Sequence, residues 1–245
     1  MSIDEDQLPA PNTQPTASTA LPAAVLWDLD GTLMDTEPLW FAQERALVEE
    51  YGGVWTHEDA LSLVGLALLD SADLIRARTP VTLDRERIVD RLQGGVVDGL
   101  RGAVPWRPGA RELIDELSAA GVPQALVTMS WRPVLEVVLR ALPEGTFAAL
   151  VTGDAVTRGK PHPEPYLTGL ELLGLAGRAS DCVAVEDSST GAASAVAAGI
   201  PTLVTPCVKP VDPAPGLVLV DSLAGVRAAD LLPLAAPAAR SGMAR

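Results

Sequence analysis

Cysteine and histidine, the residues that most often bind zinc or form disulfides, are scarce in this chain, which has two of each. Cys182 lies inside an apolar run and Cys207 follows a proline, and no C-x-x-C pair occurs. The histidines are not spaced to complete a zinc site either. This pattern excludes a disulfide scaffold and a zinc-binding module. It favours a reducing compartment, and we predict a cytoplasmic protein.

Basic side chains are also few, with 18 Lys and Arg against 32 Asp and Glu, for a formal net charge of −14. No cluster of Lys or Arg occurs along the chain. A protein that binds nucleic acid or an anionic membrane needs such a cluster, so both partners are excluded. We predict a monomer or weak homodimer that acts on a small molecule.

Residues 1–22 contain no basic flank and no apolar run of the length that a signal peptide or membrane span requires. Their prolines, acidic residues and hydroxyl residues are typical of disordered tails, so we predict a disordered N-terminal tail over 1–22. The Ala- and Pro-rich segment 233–245 is predicted to be a flexible C-terminal tail. We expect no chemistry from either segment.

The spacing of apolar residues changes along the chain, and this change predicts the fold class. Between residues 37 and 104 the spacing is helical, with Ile88, Leu92, Val96 and Leu100 as one stripe, and no strand pattern interrupts it. From residue 105 to 232 helices alternate with short apolar strands, which predicts parallel strands joined by crossover helices. With residues 23–36 as its first strand, this core is predicted to be a doubly wound parallel α/β sheet, and 37–104 an inserted helical module.

The segment from Val25 to Thr32 is the centre of the predicted site. It is an apolar strand that ends in Asp28 and Asp30, and because side chains alternate along a strand, both carboxylates leave it on the same side. Gly31 allows a tight turn directly after the strand. Ligand sites of open α/β sheets lie at this carboxyl end, so the position favours a functional site.

Three other predicted strands also end in polar groups, and all parallel strands end at the same edge of the sheet. A lysine in a Gly-Lys-Pro loop can reach that edge as well. Two carboxylates about 4 Å apart repel by roughly 4 kcal/mol at an effective dielectric constant near 20, so such a cluster needs a cation. Oxygen ligands beside one lysine indicate Mg²⁺ and an anionic substrate. These further groups are Thr128 with Ser130, Thr152 with Asp154, Glu186 with Asp187, and Lys160.

Four short motifs, in this order along the chain, resemble those of the haloacid dehalogenase superfamily of phosphotransferases. The resemblance covers residues 23–222. A further motif, Asp35-Thr36-Glu37, and the helical insert resemble the branch that contains β-phosphoglucomutase, phosphoglycolate phosphatase and small sugar-phosphate phosphatases. The resemblance implies a Rossmann-like core and a mobile helical cap over 37–104. The four motifs are Asp28-Leu29-Asp30-Gly31-Thr32, Thr128, Gly159-Lys160-Pro161, and Glu186-Asp187-Ser188 followed by Gly191 and 198–201.

The resemblance also implies a role for each site residue. Asp28 is expected to be the nucleophile that forms an aspartyl phosphate, and Asp30 the general acid and base. Lys160 is expected to offset charge on the nucleophile and the phosphate, while Thr128 and the amide of Met129 hold phosphoryl oxygens. The expected ligands of Mg²⁺ are Asp28, the carbonyl of Asp30, Glu186 and Asp187.

Two nearby residues have plainer structural interpretations. Ser188 is predicted to be the N-cap of the helix that follows it. His162 is predicted to be a loop residue, because Asp30 already supplies the general acid and base.

Other functions fit parts of the pattern. A receiver domain of a signalling protein also gathers an Asp, a Thr and a Lys at strand ends, but it needs neither the helical insert nor Asp30. A dehalogenase needs no Asp30 and no metal ligands. A scaffold without activity would be free to lose one of these groups, and none is missing. We therefore predict a Mg²⁺-dependent phosphomonoester hydrolase that acts on a small phosphorylated metabolite.

A sugar-phosphate mutase of the β-phosphoglucomutase type is the main alternative. In the mutases that this chain resembles, a histidine stands at the position of Trp40 and an arginine that grips a second phosphate at the position of Leu68. Leucine cannot bind phosphate, whereas arginine forms a bidentate, charge-assisted pair with it. These two departures favour the phosphatase.

Overall fold

The structure, a computed structural model, describes residues 20–235. Within this range six parallel strands form one sheet in the order β3-β2-β1-β4-β5-β6. The predicted doubly wound α/β fold is confirmed. Most of the two predicted tails lies outside the described residues. The strands are β1 (Val25–Trp27), β2 (Gln124–Val127), β3 (Ala149–Val151), β4 (Val183–Glu186), β5 (Thr202–Val204) and β6 (Leu217–Leu219).

The strand that precedes Asp28 lies at the centre of the sheet. Leu26 of β1 stands opposite Ala125 of β2 on one side and opposite Ala184 of β4 on the other. All residues of these three strands are buried, because helices cover both faces of the sheet. Apolar residues on both faces are typical of such parallel strands, and their burial explains why the sequence shows continuous apolar runs there.

In the part of the chain that the structure describes, five α-helices follow the insert, and the side chains of β1 divide them between the two faces. Val25 and Trp27 pack in one core cluster with residues of α5, α6 and α9. Leu26 packs in the other with residues of α7 and α8. The end of α9 lies beyond the predicted boundary at 232, and Ala235 is buried. These helices are α5 (Ala110–Ala119), α6 (Arg132–Arg140), α7 (Glu164–Leu172), α8 (Ser189–Ala197) and α9 (Leu231–Ala235).

Four helices lie between β1 and α5, and they share a separate cluster of buried apolar side chains that includes Leu47, Ile75 and Ile88. Thr56 and Asp59 form a capping box at the start of the second of these helices. No helix of the described range has both the length and the apolar character needed to cross a bilayer. The four helices are α1 (Glu37–Glu50), α2 (His57–Leu63), α3 (Leu68–Arg78) and α4 (Arg85–Leu100).

Glycines in α4 bring it close to α1. The helix continues through Gly94 and Gly95, where the sequence predicts a weak point. A Cβ atom at Gly95 would collide with the side chain of Gln43, and one at Gly99 would lie 2.8 Å from Leu39. The glycines therefore cost helix propensity but allow α1 and α4 to pack closely.

Candidate active site

The predicted site residues converge at the carboxyl end of the sheet. Asp28 follows β1, Thr128 follows β2, and Glu186 ends β4. A cavity of about 100 Å³ opens there, between the sheet and the helical insert. Glu186 is fully buried beside the cavity. The predicted site residues that line it are Asp28, Asp30, Thr128, Met129, Lys160 and Asp187.

Lys160 joins two of the carboxylates. Its Nζ donates to Oδ1 of Asp28 at 2.7 Å and to Oε1 of Glu186 at 2.6 Å. The lysine side chain is 4% exposed. Burial alone would lower the pKa of Lys160, but the charges of Asp28 and Glu186 outweigh it and raise the pKa. The site therefore contains a permanent buried ammonium group next to the predicted nucleophile.

Glu186 is held by a residue that the sequence did not reveal. The hydroxyl of Tyr166, on α7, donates to Oε1 of Glu186 at 2.5 Å. The other oxygen, Oε2, packs against Gly191, where a Cβ atom would collide with the carboxylate. Glycine is thus required at position 191 for Glu186 to occupy this place. Burial raises the pKa of the Tyr166 hydroxyl, and the charge of Glu186 raises it further, so Tyr166 remains a donor.

Three buried carboxylates form a candidate metal site. Oxygen atoms of Asp28, Glu186 and Asp187 all lie within 4.8 Å of one another. Oδ2 of Asp28 and Oε2 of Glu186 are buried without a hydrogen-bond partner in the described residues. Burial raises the pKa of Asp28 to about 7. The pKa of Asp187 is also raised, by burial and then by the charges of Asp28 and Glu186. A cation would relieve this repulsion, and oxygen donors of this kind suit a hard divalent ion.

Asp30 lies outside that group of carboxylates and is held by four donors. Its Oδ1 accepts from the hydroxyl of Thr36 at 2.6 Å and from the indole N–H of Trp40 at 3.0 Å. Its Oδ2 accepts from the hydroxyl of Ser130 at 2.6 Å and from that of Thr128 at 3.3 Å. The Asp30 side chain is therefore fixed in the cavity wall, and its predicted metal contact through the backbone carbonyl stays a prediction.

Glu37 is also part of the site, although the sequence did not predict that its side chain is buried beside the cavity. It is 5% exposed, lines the cavity, and its Oε2 has no partner in the described range. Burial, followed by the charge of Asp30, raises the pKa of Glu37 to about 8. A Cβ atom at Gly31, where φ is 81°, would collide with both Asp187 and Glu37. The glycine turn predicted after β1 thus leaves room for two carboxyl groups.

Glu37 also belongs to another acidic group near the first. Oxygen and sulfur ligand atoms of Asp35, Glu37 and Cys207 lie within 4.8 Å of one another. Burial raises the pKa of the Cys207 thiol to about 12, and the charge of Glu37 adds to this. Asp35 is exposed. This group offers a thiol and fewer buried oxygens, so it fits a hard cation less well than Asp28, Glu186 and Asp187 do.

The helical insert supplies the far wall of the cavity, which is mostly apolar. Its one charged residue besides Glu37 is Glu44, and Ser71 adds a hydroxyl. Among the described residues that line the cavity, Lys160 alone has a basic side chain. The apolar residues of this wall are Trp40, Phe41, Ala60, Leu63, Val64, Leu66, Leu68 and Leu92.

Some polar residues do not reach the site. Asp154, predicted to share the strand-end edge, is exposed in a short 3₁₀ turn after β3 and does not line the cavity. That prediction was wrong because the turn carries Asp154 outward. His162 is half-buried and accepts from the backbone N–H of Glu164. Ser188, in contrast, does line the cavity, and it accepts from the N–H of Gly191, as expected of an N-cap.

Three arginines, two on α3 and one on α6, are candidates to replace the phosphate grip that a mutase has at the position of Leu68. All three are exposed, and none lines the cavity. Leu68, which stands at the corresponding mutase position, does line it. The described cavity therefore has no second cationic subsite. The three arginines are Arg76, Arg78 and Arg132.

Comparison with known proteins gives the family. The sequence model of the haloacid dehalogenase-like hydrolases matches residues 25–205. The chain belongs to this family. The predicted family and the predicted enzyme class, a phosphatase of this family, are thereby confirmed, and the motifs at Asp28, Thr128, Lys160 and Glu186 lie within the matched range.

Relatives with known names cover most of the chain. The plasmid CbbY protein of Cupriavidus necator is 35% identical over 201 residues, which are 75% of this chain and 78% of the relative. Hexitol phosphatase B of Escherichia coli K12 is 31% identical over 216 residues, which are 85% of this chain and 96% of the relative. A crystal structure of CbbY from Rhodobacter sphaeroides in complex with xylulose-1,5-bisphosphate has a TM-score of 0.75, with 27% identity over 84% of this chain and 96% of that one.

Proposed function

We propose that the protein is a Mg²⁺-dependent phosphatase that hydrolyses a sugar or polyol monophosphate through an aspartyl phosphate on Asp28. The observation that carries the proposal is the state of Asp28. One of its oxygens, Oδ1, is held by Lys160, while Oδ2 is buried beside the cavity without a partner in the described residues. A carboxylate fixed in this way can present one oxygen to a cation and the other to phosphorus.

Asp28, Glu186 and Asp187 are the side chains that would hold Mg²⁺, which supplies charge neutralisation between the carboxylates and the incoming phosphate when bound. Lys160, which contacts both Asp28 and Glu186, adds a second positive charge. Both charges lower the repulsion between a carboxylate nucleophile and a phosphate dianion.

The reaction follows in two displacements. An oxygen of Asp28 attacks phosphorus, the bond from phosphorus to the substrate oxygen breaks, and Asp30 donates a proton to the departing alkoxide. In the second displacement Asp30 removes a proton from water, whose oxygen attacks phosphorus and releases inorganic phosphate from Asp28. The donors around Asp30 support this role because they hold its carboxyl group at the cavity wall in one orientation.

The charges of the cavity support a monophosphate substrate over a bisphosphate. Lys160 is the single basic residue among the described lining residues, and it is paired with two carboxylates. A second phosphate would face the carboxyl groups of Glu37 and Glu44 with no cation to bind it. Of the two kinds of relative, hexitol phosphatase B therefore offers the better guide to the substrate than the CbbY structure with its bisphosphate.

The same cavity argues against the mutase. A mutase must hold a bisphosphate intermediate while it turns over in the site, and it must protect the aspartyl phosphate from water. The leucine at position 68 and the distant arginines provide no grip on the second phosphate. Trp40, in place of a histidine, can donate a hydrogen bond to Asp30 but cannot titrate.

The test is release of inorganic phosphate from p-nitrophenyl phosphate and from sorbitol 6-phosphate, with Mg²⁺ and with EDTA. We expect release that requires Mg²⁺, and a larger kcat/KM for sorbitol 6-phosphate. Intact mass spectrometry of Asp30→Asn mixed with p-nitrophenyl phosphate should show the mass of one added phosphoryl group. Conversion of glucose 1-phosphate to glucose 6-phosphate without phosphate release would overturn the proposal in favour of the mutase.

A further inference from the structure

Glu44 is a buried acidic residue that the proposed mechanism does not use. It lies on α1 and is 5% exposed. Its Oε2 accepts a hydrogen bond from the indole N–H of Trp55 at 3.1 Å. Trp55 is itself buried, in the apolar cluster of the helical insert. The tryptophan therefore fixes the glutamate in one orientation, and the pair belongs to the insert rather than to the sheet.

The remaining hydrogen-bonding capacity of Glu44 is unused. In the described part of the chain, Oε1 of Glu44 accepts no hydrogen bond and no basic side chain pairs with it. Glu44 nevertheless lines the cavity that contains Asp28 and Asp30. Oε1 is not among the buried oxygens that lack a partner in the described residues, so it is accessible from the cavity. A donor that enters the cavity would complete its hydrogen bonding.

The surroundings of Glu44 limit what that donor can be. Most residues of the insert that line the cavity are apolar, and Ser71 is the one hydroxyl residue among them. A phosphate dianion has no hydrogen to donate, and Glu44 repels it whenever its carboxyl group is ionised. A hydroxyl group donates one hydrogen bond and carries no charge, so it matches both the carboxylate and the apolar walls.

We propose that Glu44 is a specificity-determining residue that accepts a hydrogen bond from a hydroxyl group on the organic part of the substrate. The inference rests on the proposed function, in which the phosphate lies against Asp28 and Lys160. The carbon chain of the substrate then extends along the cavity towards the insert, where Glu44 selects polyol and sugar monophosphates over alkyl and aryl monophosphates.

The experiment compares two substrates of equal carbon number, sorbitol 6-phosphate and n-hexyl phosphate, in a series of variants. Glu44→Leu removes the acceptor, and Glu44→Gln keeps an oxygen that can accept from Trp55. Glu49→Gln is the matched control, because Glu49 lies exposed on the same helix. Circular dichroism of each variant checks the fold, and p-nitrophenyl phosphate serves as a substrate with no hydroxyl group.

A hydrogen bond to a charged group predicts that Glu44→Leu lowers kcat/KM for sorbitol 6-phosphate by roughly tenfold or more, mainly through KM. For n-hexyl phosphate and p-nitrophenyl phosphate, kcat/KM should stay within about twofold. Glu44→Gln should show a smaller loss in the same direction, and Glu49→Gln none.

Two outcomes would overturn the inference. An equal loss on all three substrates would make Glu44 a structural residue only. An unchanged kcat/KM of Glu44→Leu for sorbitol 6-phosphate would show that the hydroxyl groups of this substrate do not contact Glu44. If Glu44→Leu does not fold, Glu44→Gln decides the test. The inference then requires that Glu44→Gln lowers the preference for sorbitol 6-phosphate over n-hexyl phosphate. A wild-type protein that releases phosphate from none of the substrates would instead refute the proposed function.

Discussion

The indole N–H of Trp40 donates a hydrogen bond to Oδ1 of Asp30 across 3.0 Å. Trp40 lies in the first turns of α1, and Asp30 lies just after β1. The bond therefore links the first helix of the insert to the predicted general acid and base of the sheet. Because an indole N–H does not titrate, this donor is present at every pH at which the protein is folded.

Replacement of Trp40 by phenylalanine should lower kcat. The ring is retained but the donor to Asp30 is lost, so the carboxyl group is less firmly oriented for proton transfer. Three hydroxyl donors remain, and we expect a loss of roughly tenfold in kcat with little change in KM. Steady-state kinetics with p-nitrophenyl phosphate measure this change in kcat. Trp106→Phe, also half-buried but away from the cavity, is the control; equal effects in both variants would contradict the assigned role.

The substitution Asp28→Asn should abolish turnover and leave the fold intact. An amide is a poor nucleophile and a poor ligand of Mg²⁺ but has nearly the same shape, so we expect phosphate release to fall by roughly a thousandfold or more. Asp154→Asn is the matched control, since Asp154 also follows a strand of the sheet but is exposed. Retention of more than a few per cent of activity in a pure Asp28→Asn sample would refute the assignment of Asp28 as the nucleophile.

Metal binding can be tested without turnover. Mg²⁺ at about 100 times its Kd adds about 2.7 kcal/mol to the free energy of unfolding, which for a chain of this size raises Tm by about 5 to 10 °C. Asp187→Asn should abolish this rise, because it removes one of the three buried carboxylates of the candidate site. Asp35→Asn should keep it. The reverse pattern would move the metal to the group formed by Asp35, Glu37 and Cys207.

The stability of the protein should depend on pH through Glu44. Burial raises the pKa of Glu44 from 4.5 to about 7 in the folded state. Below pH 4.5 Glu44 carries its proton in both the folded and the unfolded state, so its ionisation does not lower the free energy of unfolding. As pH rises from the unfolded value to the folded value, the unfolded chain loses the proton of Glu44 while the folded protein keeps it, so stability falls by at most about 3 kcal/mol and then levels off.

Glu44→Gln removes this titration. The stability of the variant relative to the wild type should therefore increase from about pH 4.5 to about pH 7, by up to about 3 kcal/mol, and stay constant at higher pH. Urea unfolding at several pH values measures the difference, and Glu49→Gln, which changes an exposed glutamate of the same helix, should show almost none. A difference that is constant with pH would show that Glu44 titrates normally.

An arginine placed at position 68 should create the missing grip on a second phosphate. Leu68 begins α3 and lines the cavity. In Leu68→Arg we expect glucose 1,6-bisphosphate to inhibit phosphate release with an inhibition constant roughly tenfold lower than in the wild type. Leu74→Arg changes a residue of the same helix that does not line the cavity, and it should leave the constant unchanged. Equal inhibition of both variants would indicate a non-specific charge effect.

The succession of strands and helices along the chain was predictable from the sequence, because each strand is a short apolar run bounded by Gly, Pro or polar residues. The convergence of Asp28, Thr128, Lys160 and Glu186 followed from one rule, that parallel strands end at the same edge of the sheet. That rule failed for Asp154, since the direction of the chain after β3 depends on a local turn that apolar spacing does not encode.

The contacts that cross between elements were not predictable. The bond from Tyr166 to Glu186 and the bond from Trp55 to Glu44 depend on side-chain rotamers and on the packing of one helix against another. The signal available in the sequence was an acidic residue at a helical position that otherwise faces apolar neighbours, as Glu44 does on α1. Such a residue is conspicuous only when the buried face of the helix is known.

Among the described strands, the strand that carries the nucleophile is synthesised first, but it has both of its neighbours only after β4 has been made. Val25 pairs with Gln124 and with Val183. At about 5 to 20 residues per second, β1 waits on the order of ten seconds or more before β4 is synthesised. Until β2 has been made this apolar segment has no strand to pair with, and until β4 has been made one of its edges stays unpaired, while the helices of the insert can already fold locally. We therefore expect slow, chaperone-sensitive maturation, in which Asp28 acquires its lysine and its acidic neighbours only when nearly the whole core has been made.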